Sequence, residues 1–317
     1  MSFFLSSCCI VIDCHFSYSD LNSQTSPKER KTSHRRIDPR RRNHRRMDNT
    51  LPEGCWAEIL SRTSPLDASR LAAISREVNA GSKSDIVWGG FLPSDYSQIV
   101  ARSISPVVYA TKRELYFSLC RSPILLDGGN LSFFLDQRTG KKCFMLGARE
   151  LEISWGDIPL YWEWTPHADS RFSEVARLKT VCWLDIRGRT TTQMLSPSTT
   201  YGAYLVFKLA EGCYGLELAN AVVRFVDSEA DNDAEERAIA VHLQQAEARN
   251  RARRRTRQVL VERVDGWREI ELGDFYNDEG YDGDVEARLI EIKSLHSKSG
   301  LIVEGIEFRP KTQFGST

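Results

Sequence analysis

The run Trp155 to Trp164, WGDIPLYWEW, holds the densest set of side chains in this sequence that can engage a ligand. Aromatic rings in a loop marked by Gly156, Asp157 and Pro159 can stack on the apolar face of a sugar ring, while an acid or amide accepts its hydroxyl hydrogen bonds. A structural reading competes: Trp155 closes the alternating run Leu151-Glu152-Ile153-Ser154-Trp155 and suits a strand core equally well. Glu152, Asp157, Glu163 and Asp185 supply carboxylates nearby. Glycoside hydrolysis needs two of them at a defined gap, and sequence spacing sets no such gap. His167 and His296 have no GxSxG nucleophile pattern beside them, and neither HExxH nor GxxxxGK[ST] occurs. The eight cysteines form no CxxC pair and no Cys/His spacing suited to zinc or to a disulfide framework. They read as ordinary thiols of a reducing compartment. The expectation is therefore a binding protein, with no catalytic residue, no metal and no cofactor.

The 317 residues leave room for one large or two ordinary domains, and 41% hydrophobic content suffices for a real core. Net charge is zero, yet it is unevenly placed. Lys28 to Arg46 carries ten Lys/Arg against two acids, Asp227 to Glu236 is acidic, and Arg249 to Arg257 is basic. Residues 15 to 48 have almost no large apolar groups to offset ordering entropy, so the segment 1–46 is expected to be disordered. Its RRIDPRRRNHRR run suits nuclear import or a solvated tail. No recognition element for specific nucleic acid accompanies it. The apolar head Phe3 to Ile12 lacks a basic n-region and is too short to span a bilayer, and nothing later reaches eighteen apolar residues. A protein of nucleus and cytoplasm, with no membrane partner, is the expectation.

These ligand-type residues must be carried by regular elements, and the pattern changes character twice. From Leu51 it is helical: Leu51, Trp56, Ile59 and Leu60 share one side, with Pro52 in a first turn. Ser64-Pro65-Leu66-Asp67 places an N-cap, an N1 proline and a capping-box acid, followed by the stripe Leu66, Leu71, Ile74 and Val78. Ser84-Asp85 opens another turn, and Phe91-Leu92-Pro93-Ser94 ends the region. A helical module over 47–95 has so small a core that a partner must complete it. A polar linker is expected over 96–112.

Beyond it, strand-like runs follow at Leu115–Leu119, Leu131–Leu135, Cys143–Leu146, Leu151–Trp155, Val181–Ile186, Tyr201–Leu209, Val222–Val226, Trp267–Leu272, Val285–Ile292 and Leu301–Phe308. Turn signals such as Asp127-Gly128-Gly129-Asn130 and Arg138-Thr139-Gly140-Lys141 separate them. In the last three, Glu269/Glu271, Glu286/Arg288 and Glu304/Glu307 interrupt apolar neighbours, which predicts two packed sheets with one wet and one dry face each. Ala234 to Arg257 reads as a charged helical or disordered insertion, at about 228–258, in a β-domain covering 113–311.

LPEGCWAEILSRTSPLDASRLAAISREVNAGSKSDIVWGGFLPSDY resembles the F-box of plant F-box proteins that carry a phloem protein 2 domain. The segments LYFSLCRSPILLDGGNLSFFLDQRTGKKCFML, ARELEISWGDIPLYWEW, SRFSEVARLKTVCWLDIRG, MLSPSTTYGAYLVFKLA, DGWREIELGDFYND and GLIVEGIEFRPK resemble phloem protein 2-type, or tobacco-lectin-like, signatures. The resemblance implies a small all-α F-box followed by an all-β lectin-like sandwich of jelly-roll type. It implies a substrate-recognition adaptor of an SCF-type cullin-RING ubiquitin ligase, docking a Skp-type adaptor and through it a cullin, with a glycan or glycosylated protein as client. An intracellular lectin with a vestigial F-box is the alternative. On this basis Leu51, Pro52, Ile59, Leu60, Pro65, Leu66 and Trp88 are the candidates for the adaptor-binding surface or the core beneath it. The resemblance also implies carbohydrate binding by Trp155 and Trp162, whose seven-residue separation is kept. Gly54 and Gly81 depart from regular F-box helices, and each is expected to weaken its helix by roughly 0.5–1 kcal/mol.

Overall fold

A computed structural model describes residues 51–227, 235–244 and 260–311. The segment 1–46, expected to be disordered, and the Arg249–Arg257 cluster lie outside these residues.

The described chain opens with six short helices, α1 (Glu53–Ser61), α2 (Pro65–Leu71), α3 (Arg76–Gly81), α4 (Asp85–Phe91), α5 (Tyr96–Ala101) and α6 (Lys112–Arg121). Local side chains start most of them. Ser64 Oγ accepts the Asp67 N–H and donates to the Asp67 carboxylate, closing the predicted capping box, and Ser75, Ser84 and Thr111 cap α3, α4 and α6. Inside the bundle Trp88 is fully buried and its indole N–H donates to the Ser82 carbonyl at 2.6 Å. Gly81 does more than weaken α3: a Cβ there would lie 2.7 Å from the Trp56 Cβ, so the bare backbone is what lets α3 close onto α1.

Two expectations for the helices need correction. Leu115–Leu119 is not a strand but the middle of α6. The Thr111 side chain accepts the Glu114 N–H, Glu114 reaches back to the Ala110 N–H, and Leu115, Tyr116 and Leu119 then bury at helical spacing. Local start chemistry outweighs the β propensity of the aromatic run. The stretch 96–112, expected as linker, contains α5 with Ile99 buried.

Helix α6 ties the helices to the sheets. Trp88 packs against Phe91, Tyr116 and Phe117 with ring centroids 4.8–5.6 Å apart, and the Tyr116 hydroxyl donates to the Gln137 carbonyl at 3.1 Å. Gly140, at φ +71, lies so close to α4 that a Cβ would meet the Phe91 carbonyl oxygen at 2.7 Å.

The β-region is a sandwich of antiparallel sheets. One runs β1 (Ile124–Leu126), β2 (Leu131–Leu135), β3 (Lys142–Gly147), β14 (Ser299–Pro310), β8 (Thr199–Tyr214), β12 (Arg268–Asn277), β11 (Val261–Glu262). In the same sheet β6 (Val175–Leu178) joins β14, and β5 (Trp162–Thr165) joins β6. The other runs β10 (Ile239–Val241), β9 (Ala219–Phe225), β13 (Asp284–Glu291), β7 (Leu184–Thr191), β4 (Glu152–Ile153). Leu205, Phe207, Val303 and Phe308 face Ile186, Ala287 and Leu289 across one continuous core. The all-α region followed by a lectin-like sandwich is as expected from the resemblance. The charged helical or disordered insertion expected over 234–257 is overturned only in its described part: Ile239–Val241 pairs with β9, and Val241 and Leu243 are fully buried, while 245–257 lies outside the described residues. Their two-residue period fits a strand better than the mixed charge fits a helix.

The second correction to the sheets concerns their polar faces, which are not simply wet. Glu286, Glu304 and Glu307 are almost completely buried, and Glu269 and Arg288 nearly so. In the second sheet Glu286 sits across from Arg189 and Arg224 on the flanking strands, with ion pairs of 2.7 and 2.9 Å. Asp185 holds Arg288 at 2.7 Å and Arg187 at 3.0 Å. Pairing across the strands is what makes this burial tolerable.

Two measurements follow. Gly140→Ala adds a positive-φ penalty of about 1–2 kcal/mol to a backbone clash, so urea denaturation is expected to show a lower midpoint at unchanged slope; an unaltered midpoint contradicts the close approach. For Asp185, burial alone would raise the carboxyl, but hydrogen bonds from Arg288 and Arg187 outweigh it and hold the group below its ordinary value. Its stabilisation is present above the unfolded-state pKa of about 3.9 and is lost as pH falls through the lower folded value. Asp185→Asn is expected to cost about 2–3 kcal/mol at neutral pH and to flatten the acid limb of the stability curve. A variant with the wild-type acid limb would sink this account.

Candidate functional site

The aromatic loop is built around an awkward residue. After β4 the chain turns at Trp155, whose φ of +59 lies in the left-handed region that bulky side chains avoid. The turn is nevertheless fastened from several sides. Gly156 N–H donates to the Ile153 carbonyl and Ile158 N–H to the Trp155 carbonyl. From β5, the Trp162 indole donates to the Ser154 carbonyl at 3.2 Å and the Trp164 indole to the Gly156 carbonyl at 2.9 Å. The Lys179 ammonium holds the Pro159 carbonyl at 2.9 Å. Over-determination of this kind is what sustains a strained conformation, and such strain clusters at ligand sites.

Trp155 is thereby left 40% exposed, its ring 5.6 Å from that of Tyr161 and stacked on Trp183 at 5.8 Å with an interplanar angle of 27°. Trp183 is 49% exposed, and Ile158 and Leu160 lie open on the same loop. The result is an aromatic platform with apolar margins at the β4–β5 turn. Trp183 is held by a second device. Lys298, fully buried, donates to the carbonyls of Cys182, Ser294 and His296 at 2.7–3.1 Å and pairs with Glu291 at 2.9 Å. The backbone of Lys298 also exchanges hydrogen bonds with Val181. Burial alone would raise the Glu291 carboxyl; Lys298 and the Ser294 N–H draw it below its usual value instead.

The residues expected from sequence are distributed unevenly. Trp155 stands at the platform. Trp162 does not: at 2% exposure its ring is core, and its indole N–H is spent on the loop it fastens, so its place as a sugar contact is corrected to a positioning residue. Trp183 was missed as a site residue, and Tyr161, inside the aromatic run, was not singled out from it. Alternation was the available signal for Trp183, because Leu184 and Ile186 are buried and the odd positions face out. Of the carboxylates near the aromatics, Asp185 is locked by arginines and Glu152 pairs with Arg189 at 3.4 Å, while Asp157 and Glu163 are exposed.

On the helices, Leu51, Pro52 and Ile59 are exposed and Leu66 is half-buried. Leu60, Pro65 and Trp88 are buried, which places them in the core beneath the surface, one of the two roles the sequence left open to them. The expected stripe is also incomplete, since Ile74 is 70% exposed beyond the end of α2, and Ile86 on α4 is 60% exposed. Leu51, Ile59, Ile74 and Ile86 thus leave large apolar side chains uncovered on the helical region. Among the described residues, no helix is long and apolar enough to cross a membrane, and no cluster of three His, Cys, Asp or Glu side chains is arranged to hold a metal ion.

This arrangement of short capped helices ahead of a β-sandwich has counterparts. Residues 141–310 match the family model described as Phloem protein 2. The chain is 44% identical over 271 residues to F-box protein PP2-B10 of Arabidopsis thaliana, covering 83% of this chain and 93% of that protein. It is likewise 44% identical over 264 residues to F-box protein At2g02240 of Arabidopsis thaliana, covering 83% and 80%. A family 35 carbohydrate binding module from Clostridium thermocellum overlays with a TM-score of 0.31 at 11% identity, covering 53% of this chain and 98% of that one, a likeness too slight to carry weight. The chain belongs to the F-box phloem protein 2 family. As a member of that family it is a non-catalytic protein.

The geometry separates the tryptophans experimentally. Trp162→Ala removes a buried ring and is expected to destabilise by about 3–5 kcal/mol, whereas Trp155→Ala and Trp183→Ala are expected to stay within about 1 kcal/mol. Chemical denaturation of the three variants reads this directly; equal losses in all three would contradict the platform.

Proposed function

We propose that this chain is the client-recognition subunit of an SCF-type cullin-RING ubiquitin ligase. In this reading a helical module over 47–95 docks a Skp-type adaptor, and the β-domain, whose strands run from Ile124 to Pro310, holds a glycan or glycosylated protein on the Trp155–Trp183–Tyr161 platform. The protein itself moves no bond: it raises the effective concentration of a client beside the transfer machinery on other subunits.

The observation that carries the docking half is the uncovered set Leu51, Ile59, Ile74 and Ile86 on a module whose own core is small. Burial of such residues at the centre of an interface, with charged neighbours such as Glu58 and Arg62 at the edge, is the ordinary anatomy of a protein contact. The platform supports the second half. Two half-exposed indoles on backbone fastened by hydrogen bonds offer flat apolar area with little ordering cost on binding, and open carboxylates at Asp157 and Glu163 can accept sugar hydroxyls. Residence in nucleus and cytoplasm belongs to the same reading.

Copurification of the full chain with a Skp-type adaptor tests the docking. Leu51→Asp combined with Ile59→Asp, both at exposed positions, is expected to weaken recovery about 100-fold, as the loss of a few kcal/mol at an interface centre does. Circular dichroism should remain unchanged. Undiminished recovery would refute the surface. Glycan binding by a chain that recovers no adaptor would favour the lectin reading with a vestigial F-box. Loss of glycan binding in Trp183→Ala, with the fold intact, is the matching expectation for the platform.

A further inference from the structure

A second concave feature lies far from the aromatic platform in sequence and borders the proposed docking surface at Arg62 and Pro65. An open cleft of about 490 Å3 is bounded by residues 61–65 at the α1–α2 turn, by residues 90–93 at the end of α4, by the β2–β3 turn 138–141, and by Ser196. We propose that this cleft binds an anion bearing a phosphoryl group.

Charge and hydrogen-bonding capacity carry the assignment. The lining contains three cations, Arg62, Arg138 and Lys141, and no carboxylate. Arg62 is engaged by Glu58 of its own helix at 2.7 Å, but both side chains are well exposed, so the pair is weak and easily exchanged. Arg138 has no ion-pair partner among the described residues. Lys141 is half-buried, and among the described residues its ammonium meets only the Pro197 carbonyl, at 3.1 Å. Burial pushes its pKa down, the mark of a cation short of water and of counter-charge. Ser196, buried, accepts the Lys142 N–H at 3.0 Å and lies beside the Tyr201 hydroxyl, adding a polar wall to the cleft. A phosphoryl group supplies what this lining lacks: two charges and three acceptor oxygens that a guanidinium can grip in pairs and an ammonium can neutralise. The volume falls within the roughly 300–1,000 Å3 of small-ligand sites, larger than orthophosphate alone requires. An occupant would touch both the α1–α2 turn and the β2–β3 turn, clamping the same junction that Phe91 and Gly140 form. The inference does not depend on adaptor or glycan binding.

The full chain is titrated calorimetrically with inorganic phosphate, pyrophosphate, a short phosphoserine peptide and its unphosphorylated twin, at ionic strength held constant with sodium chloride. Saturable binding of a phosphorylated probe is expected, with none for the plain peptide. Hydrogen–deuterium exchange on the unaltered protein should then slow at residues 61–65 and 138–141. Arg138→Glu with Lys141→Glu should weaken the affinity at least tenfold; Arg138→Gln, an exposed single change, serves if the double variant misfolds. Preference for pyrophosphate points to a free small molecule and preference for the peptide to a phosphorylated chain, and either supports the site. No saturable binding, protection confined to other segments, or affinity retained in the variants overturns it.

Discussion

The burial of Trp88 between α4 and α6 is the interaction on which the rest of the molecule rests. A module of short helices cannot bury enough apolar area to be secure alone. Here the indole is surrounded by Phe91, Tyr116 and Phe117, and Tyr116 reaches on to the β2–β3 turn where Gly140 admits the Phe91 carbonyl. The helices therefore borrow their stability from the sandwich through one side, which frees Leu51, Ile59, Ile74 and Ile86 on other positions from any duty in the fold. Contact with the β-region and an uncovered apolar surface coexist because they use different residues of the same helices.

How far the sequence could be read depended on whether a residue's role was local. The Ser64-Pro65-Asp67 start was legible because a cap involves only four neighbouring residues. Most long strands were legible from alternation. Leu115–Leu119 was misread because its aromatic content spoke louder than the Thr111/Glu114 box just ahead of it, and Ile239–Val241 because two charged flanks obscured three alternating apolar positions. The outward face of Trp183 was legible from its alternation with Leu184 and Ile186, whereas the burial of Trp162 was not, since it is decided by how the loop folds its indole onto the Ser154 carbonyl. Acidic and basic residues within strands suggested water; cross-strand register instead turns them into neighbours that bury one another.

Those buried charges are a different way of closing a sheet. Glu286 between Arg189 and Arg224, and Glu269 and Glu307 around Arg263 and Arg309, satisfy most of each other's lone pairs and protons. Such lattices add less to stability than a hydrocarbon layer of the same size, but they are intolerant of a one-residue slip, because every partner would be lost together. Register is thus specified from both faces of the sheet, by the core on one and by charge on the other.

The stacked pair of Trp155 and Trp183 has an optical corollary. Two indoles with centroids 5.8 Å apart and planes inclined by 27° share their excited states, so their near-ultraviolet dichroism belongs to the pair and not to either ring. Anything that slides across or between them changes that coupling. The protein therefore carries its own spectroscopic gauge of what occupies the loop, readable without a label.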